Sequence, residues 1–89
     1  MSDHAGEDAR GLAALGTAIQ TLRLQAGLSE HELAARAELP PQSLTAIEAG
    51  QEEPTWGDLR RIAGGLEASL ESLLELAESL EDAGRGPST

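Results

Sequence analysis

From Leu28 to Gly50 the apolar residues fall into two short helical runs on either side of Pro40-Pro41. Leu33, Ala34 and Ala37 share one face of the first run. Leu44 and Ile47, three apart, share one face of the second. Ser29-Glu30-His31-Glu32 opens the first run as a capping box, hydroxyl to the Glu32 N–H and carboxylate back to the Ser29 N–H. The prolines end one helix and suit the first turn of the next, and Gly50 fits a C-terminal stop. Upstream, Leu12, Leu15, Ile19 and Leu22 line one face of a helix from about Ala9 to Ala26, which Gly27 closes. Gly16 weakens it by about 1 kcal/mol relative to Ala. Downstream, the polar loop Gln51-Glu52-Glu53-Pro54 leads to Thr55, an N-cap with Asp58 near the positive end of helix 4. Trp56, Leu59, Ile62 and Leu66 predict its buried face, and Gly64 and Gly65 loosen its second half. Ser69 caps a helix 5 that runs to about Leu80. Period-two alternation appears nowhere, so the pattern predicts an all-α chain of five helices.

The same pattern bounds the domain. Residues 1–8 carry almost no apolar content and read as a disordered lead, 9–81 as one helical domain, and 82–89 as a flexible tail. At 89 residues the core is small, and a second copy would help to stabilise it. No cysteine is present, which removes disulfides and thiolate metal sites and suits a cytoplasmic location. No apolar run approaches the ~20 residues of a membrane span. The polar, acidic start does not resemble a secretory signal.

Two short helices joined by a tight turn are the geometry of a helix-turn-helix, whose second helix enters the DNA major groove. That reading gives helix 5 a second use. Leu70, Leu73, Leu74, Ala77 and Leu80 make one broad face, with Leu76 at its edge and Glu71, Glu75, Glu78 and Glu81 opposite. Either all of these leucines close the core, or the face is split between core and homodimer interface. The split is favoured because such dimers span two half-sites, and it assigns Leu73, Leu76, Ala77 and Leu80 to the interface.

From Leu15 to about Leu80 the chain resembles the phage-repressor/Cro-like (XRE) helix-turn-helix family. The residues that carry the resemblance are Ile19, Leu22-Arg23, Gly27-Leu28-Ser29, Leu33-Ala34, Leu44, Ile47-Glu48 and Gly50. Pro54-Thr55, Leu59, Ile62-Ala63, Leu66 and Ser69-Leu70 complete the series. The resemblance implies a five-helix, lambda-repressor-like DNA-binding domain. It implies an internal ion pair of Arg23 with Glu48 that ties the reading helix (about 41–48) to helix 1. It also implies DNA contacts from Glu30, Gln42, Ser43, Thr45 and Ala46, with Gln51 against the backbone. Gln42 suits a bidentate bond to adenine, and Ser43 and Thr45 suit bases or phosphates. Arg36, Arg60 and Arg61 are the cations of the middle and later chain that could reach phosphate, or else ordinary surface charges paired with Glu32 or Glu53.

Charge complicates the picture. Sixteen acids face six arginines, with no lysine, for a net charge of −10. Phosphate contacts by basic residues supply most non-specific DNA affinity. The chain also departs from the family pattern at three places. Glu30 stands where Gln is usual, Glu38 replaces the turn glycine at a cost of roughly 1–2 kcal/mol, and Pro40-Pro41 removes two backbone donors. His31 between Glu30 and Glu32 does not make an enzyme or metal site, because adjacent helical residues do not converge on a point. The sequence therefore predicts a non-enzymatic, cofactor-free transcriptional regulator that binds a double-stranded operator as a homodimer. The alternative is an acidic helix-turn-helix module that binds a protein partner.

Overall fold

The computed structural model describes residues 2–85, with side chains from 11 to 82. Five helices follow in order: α1 Ser2–Gln25, α2 Glu30–Ala37, α3 Pro41–Glu48, α4 Trp56–Leu66 and α5 Leu70–Arg85. No strand occurs among the described residues. α1 starts earlier than the apolar pattern predicts, within the stretch read as a disordered lead. α5 runs past Leu80 to Arg85, and residues 86–89 of the expected tail lie outside the described residues.

The caps explain where the helices start. The Glu32 N–H donates to Ser29 Oγ (3.0 Å), and the Ser29 N–H donates to Glu32 Oε1 (2.8 Å). Thr55 and Asp58 repeat the box at α4, with bonds of 3.0 and 3.1 Å. At α5 the Ser72 N–H donates to Ser69 Oγ at 3.0 Å. Each box satisfies two backbone donors that the first turn would otherwise leave without partners.

Ile19, Leu33, Leu44, Ile47, Ile62 and Leu73 are the largest fully buried side chains, one or two from every helix. Each contributes roughly 1.5–3 kcal/mol by leaving water. α1 lies along α5, α2 along α4, and α3 crosses α1. That crossing needs Gly16. A Cβ there would stand 2.5 Å from the Ile47 carbonyl oxygen, so the glycine is the point of closest approach between α1 and α3. Its use in packing outweighs the weakening expected of a mid-helix glycine. Gly65, expected to loosen α4, is likewise buried, with a hypothetical Cβ 3.0 Å from both Arg36 Cβ and Leu33 Cδ1 of α2. Gly64 has open space around it.

Two expectations about buried faces are corrected. Trp56 is 62% exposed, because it is the first residue of α4 and lies outside the inward series Leu59, Ile62, Ala63 and Leu66. It borders an open cleft with Leu12, Leu15, Pro54 and Leu59. On α5, Leu73 is fully buried and Ala77 nearly so within the single chain. Neither is available to a second copy, since α5 spends this face on the core that includes α1. Leu76 and Leu80 are half-buried against that same core.

Candidate nucleic-acid interface

The segment Glu38-Leu39-Pro40 joins α2 to α3. Glu38 takes the left-handed conformation, φ 58° and ψ 43°. Its N–H donates to the Ala35 carbonyl at 3.2 Å, and the Leu39 N–H donates to Ala34 at 2.9 Å. This is the closure a glycine usually makes, achieved here with a Cβ in place. Leu39 then packs against the core and fixes the angle at which α3 leaves. Pro40 is the N-cap and Pro41 the first helical residue of α3. Both sit where a backbone N–H has no intrahelical partner, so the helix loses nothing by their lacking one. Gly50, at φ 76°, ends the segment, and the Gln51 N–H returns to Ala46 at 2.8 Å.

α3 is anchored from beneath. The Arg23 Nε–H donates to Glu48 Oε2 at 2.8 Å, and an Nη2–H donates to Oε1 at 3.2 Å. A third bond, from Nη1 to the Leu28 carbonyl at 2.8 Å, ties the same guanidinium to the start of the α1–α2 turn. Both residues are buried. The bond to Glu48 raises the Arg23 pKa, while burial pushes the Glu48 carboxyl up in spite of Arg23. Glu30 adds negative charge next to this pair.

With Leu44, Ile47 and Glu48 turned inward, α3 presents Pro41, Gln42 and Thr45 to solvent, with Ser43 and Ala46 half-exposed. The Gln42 amide makes no hydrogen bond among the described residues. Thr45 is committed: its Oγ1 lies 3.0 Å from the Pro41 carbonyl and 3.1 Å from Glu30 Oε1. The bond joins the start of α2 to the outer face of α3, a link that sequence spacing did not reveal. Gln51 is exposed just beyond Gly50. Arg36 is drawn elsewhere. Its Nη1 donates to the Gly65 carbonyl of α4 at 3.2 Å.

Cations near this surface are few. Arg61 pairs with Asp58 at 2.7 Å, Arg23 is buried, and Arg36 holds α4. Arg60 engages no partner among the described residues. No group of three potential metal ligands converges among the described residues. No described helix is long and apolar enough to cross a membrane.

A family model of the helix-turn-helix domain matches residues 14–76. The chain belongs to the helix-turn-helix domain family. Solved structures of similar fold include regulators. The fold is similar to the clp gene regulator ClgR from Corynebacterium glutamicum (27% identity, TM-score 0.81, covering 86% of this chain and 80% of that one). It is also similar to the restriction-modification controller protein C.AhdI from Aeromonas hydrophila (26%, TM-score 0.69, covering 70% and 94%). A second controller protein, C.Esp1396I, matches at 26% identity and TM-score 0.73, over 79% of this chain and 92% of that one. No curated protein gives a significant sequence match. The helix-turn-helix match takes in the whole of α2–α4 and the anchoring pair beneath α3. Its structural neighbours are gene regulators and controller proteins, not enzymes.

Proposed function

We propose that the protein is a sequence-specific DNA-binding transcriptional regulator of the Cro-like type, which reads an operator through α3 in the major groove. The observation that carries this is the outer face of α3. A free Gln42 amide heads it, flanked by Ser43, Thr45 and Ala46, on a helix fixed from beneath by the Arg23–Glu48 pair. Such rigidity suits base reading, because a side chain held on an anchored helix loses little freedom when it meets a base. Glu30 and Gln51 flank the same surface, and the regulators with similar folds support the reading. Arg36 is withdrawn from the DNA contacts and given a packing role against α4.

The protein acts in the cytoplasm as a homodimer whose two α3 helices meet half-sites one turn of DNA apart. Leu73 and Ala77 are interior, so the dimer draws on the half-buried Leu74, Leu76 and Leu80 at the outer edge of α5. Sedimentation at high micromolar concentration yields a dimer mass if this is right, and monomer alone contradicts the dimer.

The acidic balance favours a second reading, a module that docks a basic protein. Four glutamates against one arginine between Leu28 and Gly50 support it. Selection from random duplex DNA at low salt separates the two. Enrichment of a two-fold symmetric motif supports the regulator. No enrichment, together with stoichiometric capture of a basic protein, supports the module.

A further inference from the structure

Thr45 and Glu30 together carry one more consequence, which rests on the DNA-reading proposal. A threonine hydroxyl has one proton and two lone pairs. Both groups within reach of Thr45 Oγ1 are acceptors: the Pro41 carbonyl at 3.0 Å and Glu30 Oε1 at 3.1 Å. The proton is therefore directed inward, and the hydroxyl offers only lone pairs to anything that approaches α3. Glu30, half-exposed beside it, is also an acceptor. The patch formed by Thr45 and Glu30 thus accepts hydrogen bonds and donates none, one turn along from Gln42.

We infer that Glu30, positioned by Thr45, is a specificity-determining residue that selects cytosine at one position of each half-site. The major-groove edges decide between the bases. Guanine offers N7 and O6, both acceptors, and thymine offers O4 and a methyl group; a carboxylate repels all of these oxygens and nitrogens. Adenine has a donor at N6, but its N7 acceptor lies alongside. Cytosine N4 has an acceptor on one side only, the O6 of its paired guanine, with C5–H on the other, whereas adenine N6 lies between its own N7 and the O4 of its paired thymine. A carboxylate backed by a second acceptor therefore fits cytosine and disfavours the other three. Phosphate is disfavoured by the same charge, so Glu30 acts as a filter against wrong sequences rather than as a source of affinity.

The test is selection from random duplex DNA at one fixed salt concentration, with the wild type, Glu30→Gln and Thr45→Val in parallel. The wild type recovers a motif with cytosine at one position of each half-site, favoured over other bases by about fivefold or more. Glu30→Gln loses or changes the preference at that position and leaves the rest of the motif in place, while binding to unrelated duplex rises. Thr45→Val keeps the size of the side chain and blurs the same position, because the carboxylate is no longer held. Thermal melts of both variants confirm that they fold. A wild-type motif with no cytosine preference, or one unchanged in Glu30→Gln, overturns the inference and leaves the regulator reading intact. If the wild type enriches no motif at all, the DNA-reading proposal itself falls and this inference falls with it.

Discussion

At the residue scale the molecule depends on a few side chains placed against their usual preferences. Arg23 and Glu48 are buried charges that meet through two bonds, and a third bond holds the guanidinium to Leu28. Loss of one partner leaves the other without compensation, at a cost of about 3–5 kcal/mol. Arg23→Ala should lower the melting temperature markedly, and an unchanged melt would show that the pair anchors nothing. Glu38 and Glu67 both occupy the left-handed region, at φ 58° and 57°. Only glycine adopts that region at no steric cost, so Glu38→Gly and Glu67→Gly should each stabilise the fold by about 1 kcal/mol in urea titrations. The first of these sites was legible as an acid in place of a turn glycine. The second was not, because α4 ends without a proline or a recognisable turn pair. Trp56 was misplaced for a related reason. Three-residue spacing extrapolated back from Leu59 reaches it, but that spacing stops counting at the first residue of a helix, where nothing packs over the end.

At the scale of elements, the caps of α2, α4 and α5 and the apolar faces of α2 and α3 could be read from the chain because each rests on residues within one or two turns. What could not be read is where one helix touches another. Gly16 and Gly65 look like weak points along their own helices, yet each is a site of close approach, to α3 and to α2. Gly64, adjacent to Gly65, faces open space. Gly64→Ala should therefore stabilise the protein by up to about 1 kcal/mol, while Gly16→Ala should destabilise it by forcing α1 and α3 apart. Chemical denaturation of the pair distinguishes a packing glycine from a merely tolerated one. The caps also set a pH dependence. The Ser29 backbone N–H holds the Glu32 carboxyl below its ordinary range, and the Thr55 N–H does the same for Asp58, with Arg61 assisting. A carboxyl depressed in the folded state stabilises above its unfolded pKa, and that contribution disappears as the pH falls through the folded value. Glu48, raised by burial, has the opposite sign: its contribution is present at low pH and is lost as the pH rises through its raised value. Loss of stability below about pH 4.5 should accordingly be shallower in Glu32→Gln/Asp58→Asn than in the wild type. An identical acid limb in the two proteins would remove the caps from the account.

At the scale of the whole molecule, the sequence made the scaffold plain and the use of its surfaces less so. The helix-turn-helix match spans most of α1–α5, yet the charge that normally brings such a scaffold to DNA is missing. The structure sharpens this. Of the arginines with described side chains, Arg23, Arg36 and Arg61 are engaged within the protein, which leaves Arg60 without a partner. Few phosphates are then neutralised, so affinity should fall only gently with salt, and discrimination must come from base contacts. Among the candidates on α3, Gln42 is an exposed amide with no hydrogen bond among the described residues. The most direct test is a fluorescence-anisotropy titration of wild type and Gln42→Ala against the selected duplex and a scrambled one. The wild type should prefer the selected duplex, with a shallow salt slope. Gln42→Ala, with an unchanged melt, should lose about tenfold on that duplex and little on the scrambled one. Equal binding of both duplexes by the wild type, or full retention of the preference in Gln42→Ala, would contradict a role for α3 in reading sequence.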